Sequence, residues 1–212
     1  LTESLPDTNY VAAALLAGHY NCDFYNLAQS GAGVLAVIEQ IKLAEQGGIL
    51  TKDSLLVYSI PPAGRVDFPL ITGCKRFTLD YQFHKHVYDG LSDDGMPDNE
   101  FVQIGHKRFK QLYDATLDVD WLQFSEQLHY AGLCGLVSLL NKYTSVGVIG
   151  HPQYLLDSYY MNQTIELLKA QQKLLFIEEG FTGWTKANKY SIMPYGHPGA
   201  DAHTKLFELL IK

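Results

Sequence analysis

The stretch "PYGHPGADAHTKLFELL" sets His197, Asp201 and His203 at the mouth of the last predicted helix. Imidazole exchanges its proton near neutral pH, so a histidine held in a loop is a candidate general base. Pro198 and Gly199 keep His197 in the loop, at the carboxyl end of a strand. His203 falls inside the helix, one turn from Phe207, where a packing or surface role is expected. Asp201 lies in the first turn, where a carboxylate complements the positive end of the helix dipole. A metal bound by His197, Asp201 and His203 would lack a further strong ligand elsewhere, so no metal is expected. His84, His86 and His129 add no pattern.

Two more loops have residue types suited to chemistry. In "AQSGAG", Gly31-Ala32-Gly33-Val34-Leu35-Ala36 fits G-x-G-x-x-A, the turn that brings a pyrophosphate to a helix N-terminus. That fingerprint needs an acid at the end of the next strand, and Ser59-Ile60-Pro61-Pro62 has none, so no nucleotide cofactor is expected. The backbone N–H groups of the same turn suit an oxyanion hole, which needs only well-aimed donors. Ser30 is not placed as a nucleophile, because the elbow G-x-S-x-G would need glycine where Ala28 and Ala32 stand. In "PPAGRVDF", Arg65 follows a buried strand. Its planar fork suits a substrate carboxylate or phosphate, and equally suits pairing with Asp67 to pin the segment beyond.

Composition bounds what these loops act on. The chain has 212 residues, 47% apolar and 18% charged, enough to bury a sizeable core. A formal net charge of −7 argues against a nucleic-acid backbone as partner, and the one basic run, His106-Lys107-Arg108 with Lys110, reads as a solvated helix face. Cys22, Cys74 and Cys134 have no metal-ligand spacing and fit a reduced compartment or simple burial. The apolar stretch from Tyr130 to Leu140 is about half of a membrane span, so no membrane partner is expected.

The elements that must position the loops alternate. A helix is predicted over Thr8–Tyr20, a short strand over Asp23–Ala28, and an amphipathic helix carrying Val34, Val37, Ile38 and Ile41 that stops at Gly47-Gly48. "SLLVYSI" (Ser54–Ile60) reads as a strand buried on both faces. Residues 66–100 read as an irregular insertion over one end of the sheet. A buried helix follows, with Trp121, Phe124, Leu128, Ala131 and Gly135 on one face and Leu122, Leu133, Leu136 and Leu140 beside it. "SVGVIG" (Ser145–Gly150) and "KLLFIEEG" (Lys173–Gly180) are two further strands, and the closing helix buries Ala202, Leu206, Leu209 and Leu210. This βαβ spacing predicts one α/β domain over residues 1–212 with a mainly parallel sheet and ligands at the carboxyl ends of its strands.

In order and approximate spacing, "YVAAALLAGHYNCDFYNLAQSGAG", "DSLLVYSI" and "GHPGADAHTKLFELL" resemble the SGNH hydrolases, also called the GDSL esterase and lipase family. The resemblance spans nearly the whole chain. It implies a flavodoxin-like three-layer α/β/α sandwich, His197 as catalytic base, and Gly31 as an oxyanion donor. It further implies a small ester as substrate, such as an acylated carbohydrate, and no cofactor.

The chain departs from the family pattern at three points. The G-D-S block with the nucleophilic serine, which in the family ends the first strand, is absent. "PPAGR" stands where the family has an asparagine, leaving Arg65 as the nearest polar substitute for contact with substrate. Pro194 occupies the place of the acid three residues before the histidine. A chain opening Leu1-Thr2-Glu3-Ser4 is expected either to have lost a leader or to belong to a longer reading frame. Without its first strand, the sheet order 2-1-3-4-5 would leave two inner edges unpaired. The expectation is therefore a missing strand, a rearranged four-stranded sheet, or pairing with another chain in a homo-oligomer. The functional expectation is an ester hydrolase that is inactive as given; the alternative is a binding module on the same scaffold, using the aromatics Phe77, Tyr81, Phe83 and Tyr88.

Overall fold

A computed structural model describes residues 11–28, 32–61, 65–69, 76–80, 100–116, 118–150, 159–171, 173–175, 179–193 and 197–211. In chain order the elements are α1 (Ala12–Tyr20), α2 (Val34–Gln46), β1 (Leu55–Ile60), β2 (Arg65–Pro69), β3 (Arg76–Asp80), α3 (Glu100–Ala115) and α4 (Trp121–Leu140). They continue with β4 (Thr144–Ile149), α5 (Tyr159–Gln171), β5 (Lys173–Leu175), α6 (Gly180–Ala187) and α7 (Ala200–Leu210). The fold is mixed α/β. Strands β1, β4 and β5 form a parallel sheet in the order β1-β4-β5, and β2 and β3 form a separate antiparallel ribbon.

The parallel register runs from Leu55 opposite Thr144 to Ile60 opposite Ile149, then from Val146 opposite Lys173 to Val148 opposite Leu175. Side chains alternate across a strand, and this alternation divides the core. Tyr58, Ile60 and Ile149 join Val34 and Ile41 of α2, Leu133, Leu136, Val137 and Leu140 of α4, and Leu168 of α5. Val57 and Val148 instead join Ala12 of α1, Phe181 of α6, and Ala202 and Leu206 of α7. Burying each such aliphatic or aromatic side chain contributes on the order of 1.5–3 kcal/mol. The unbroken apolar run in β4, buried from Ser145 to Ile149, follows from having helices to meet on both sides.

The chain's turn chemistry sets the helix ends. Gly48 takes φ +70° just past α2, and the Ile49 N–H donates back to the Ala44 carbonyl at 2.9 Å, closing the helix where Gly47-Gly48 predicts. At the start of α4 the Asp120 side chain accepts from the Gln123 N–H at 3.0 Å.

Several expectations need correction. Asp23–Ala28 forms no strand; it follows α1 without ladder pairing among the described residues, and Phe24, Tyr25 and Leu27 are exposed. The strand expected over Lys173–Gly180 is described only over Lys173–Leu175, and Gly180 begins α6 instead. Helix α5 forms where the sequence predicts no element. The segment expected to be irregular opens with the β2–β3 ribbon, paired from Arg65 opposite Asp80 to Pro69 opposite Arg76. Its residues 81–99 lie outside the described residues, as do Tyr81, Phe83 and Tyr88. Among the described residues no helix is long and apolar enough to cross a membrane.

Two features of α4 generate measurable expectations. His129 is 1% exposed, and neither ring nitrogen has a hydrogen-bond partner among the described residues. Burial disfavours the imidazolium and pulls its pKa from 6.5 to about 4. The unfolded chain therefore binds a proton that the folded chain refuses between those values. Stability should fall as pH drops from 6.5 toward 4, by about 3 kcal/mol in all. His129→Leu is expected to remove that slope in urea titrations at pH 7 and pH 4.5, and to raise stability at both.

One turn on, a Cβ at Gly132 would lie 2.5 Å from Val34 Cγ1, whereas one at Gly135 would meet Ile38 Cδ1 at 3.7 Å. Val34 is buried and stiff about χ1, so it yields little. Gly132→Ala is expected to cost about 1–3 kcal/mol. Gly135→Ala should be neutral or gain up to about 1 kcal/mol. Urea midpoints of the two variants check the contrast.

Candidate functional site at the carboxyl end of the sheet

Helix α2 begins without a cap of its own: Gly33 is the N-cap residue, no side chain there bonds the first turn, and that turn has no acid. Its first N–H groups nevertheless have an acceptor. Asp67 of β2 takes the Gly33 N–H on Oδ1 and the Ala36 N–H on Oδ2, both at 3.0 Å, and is itself 5% exposed. A buried carboxylate is tolerable here because charge-assisted bonds and the positive helix end offset its lost hydration. Gly33 is required for the approach. A Cβ there would stand 2.7 Å from Asp67 Oδ2 and 2.9 Å from the Arg65 carbonyl oxygen.

This contact brings the Arg65 backbone against Gly33; Gly31 and Ser30 lie outside the described residues. Arg65 is half-buried at the first position of β2, beginning five residues after β1 ends. Pairing with Arg65 is one of two even expectations for this segment; the described hydrogen bonds of Asp67 go to Gly33 and Ala36 at the start of α2. The signal that points to it is negative: a helix opening on glycine with no acid in its first turn must find an acceptor elsewhere.

His197 stands on a second, separately braced loop. Ile192 and Pro198 form an antiparallel bridge, flanked by Gly199 N–H to Ser191 carbonyl at 2.8 Å and Met193 N–H to His197 carbonyl at 2.7 Å. Pro198 sits in the pair of this ladder whose N–H groups are not needed. Asp201 locks the base of the loop, accepting from the Ser191 N–H at 2.9 Å and from the Ser191 hydroxyl. The Ser191 hydroxyl and N–H hold the Asp201 carboxyl below its ordinary value of 3.8. The brace is therefore complete above that pH and is lost only as pH falls below it, through the lowered value. Within the first turn of α7 Asp201 also accepts the Ala202 N–H, as its expected position at the positive helix end requires.

The His197 side chain is exposed, and no carboxylate among the described residues bonds it. His203 is half-buried, edge-on to Phe181 with ring centroids 5.2 Å apart, and burial lowers its pKa, in keeping with a packing role. Among the described residues no three His, Cys, Asp or Glu side chains gather as a metal site.

Both loops stand at the carboxyl end of the parallel strands. The Thr182 N–H in the first turn of α6 donates to the Gly150 carbonyl just past β4, and Phe181 beside it meets His203 in the first turn of α7. The Arg65–Gly33 contact lies just past β1. The structure does not join His197 to that contact by any described hydrogen bond. Compared with family models, curated proteins and solved structures, the chain matches none.

Asp67→Ala is expected to strand the Gly33 and Ala36 N–H groups and to cost about 1–3 kcal/mol. Gly33→Ala should displace the same carboxylate. In a double-mutant cycle by urea unfolding, Asp67→Ala should therefore cost less in the Gly33→Ala background than in the wild type.

Proposed function

We propose that this chain carries most of an SGNH-like ester hydrolase on a flavodoxin-like three-layer sandwich, with a small ester such as an acylated carbohydrate as substrate. The observation that carries the reading is the placement of the braced His197 loop and the Gly33 turn at the same, carboxyl end of the parallel strands. Two core clusters that share alternate residues of β1 and β4 support the layered architecture. The sheet also supports the reading by what β1 lacks. Among the described residues it pairs with β4 alone, and Phe24, Tyr25 and Leu27 stand exposed in a segment without ladder pairing. One more strand beside β1, bearing the serine nucleophile, would meet both needs.

In this mechanism the serine hydroxyl attacks the ester carbonyl while His197 takes its proton. The carbonyl oxygen, now an oxyanion, accepts the Gly31 N–H. The protonated His197 then donates to the departing alkoxide, releasing the alcohol and leaving an acyl-serine. Water, deprotonated by His197, attacks that acyl group and frees the acid and the serine. Arg65, at the edge of the turn, holds a carboxylate or other anionic group of the substrate. No cofactor takes part.

A second reading, a binding module on the same scaffold, is favoured by one observation: the 212 residues contain no G-D-S block. Ester hydrolysis separates the two. The 212-residue chain is expected to leave an acyl ester at its background rate. A chain that includes a strand ending in G-D-S is expected to hydrolyse it, with His197→Ala lowering kcat by about 10²–10⁴-fold. Hydrolysis by the 212-residue chain itself would overturn these roles, and silence of both chains would leave the binding reading.

A further inference from the structure

We draw no further inference here: the strongest candidate, the surface patch of exposed Phe24, Tyr25 and Leu27 in the segment that follows α1, is an unpartnered apolar surface, and nothing in the structure shows what covers it.

Discussion

The first N–H groups of α2 point at a carboxylate that arrives from a strand more than thirty residues later, and much of the site's architecture follows from that bond. Helix starts expose donors that must be satisfied, and burial makes the need acute. Asp67 meets it while β2 approaches closely enough that residue 33 has room only for hydrogen. One contact thereby ties a helix start to the strand that begins with Arg65, and the carboxylate at the helix end is supplied by the protein itself.

The His197 loop is built by the same physics in miniature. Asp201 satisfies the Ser191 hydroxyl and N–H and an N–H of its own helix, and so ties Ser191 to the start of α7. Among the described residues no carboxylate bonds the exposed imidazole of His197. His129 makes the contrasting case: fully enclosed, it is a core side chain whose cost grows in acid.

Much of this was legible in the sequence where period and turn chemistry agree. The apolar run of β4, the 3.6-residue pattern and double glycine of α2 and the closing helix follow from local signals. Two burial expectations were wrong: β1 is not buried on both faces, since Leu55 and Ser59 are exposed, and α4 turns Phe124, Ala131 and Gly135 to solvent and buries Leu133, Leu136, Val137 and Leu140 instead. Asp23–Ala28 misled, because β-propensity in its aromatics means a strand only when a neighbour pairs with it. Helix α6 was hidden because "FTGWTKA" is short and begins on a glycine with φ +65°. Asp67 and Ser191 escaped for another reason: their importance lies in long-range or cross-hairpin bonds that no local spacing encodes. The position of His197 in a loop before a helix and that of Arg65 after a strand were legible in the sequence; Gly31, the third candidate, lies outside the described residues.

The proposed hydrolase needs a nucleophile-bearing strand beside β1, within reach of His197. Reading the codons directly upstream of that for Leu1 tests this most directly, and the expected result is an apolar, strand-like run ending in Gly-Asp-Ser. A start codon at that point, or an in-frame stop, would contradict it and make ligand binding the better description of what this scaffold does.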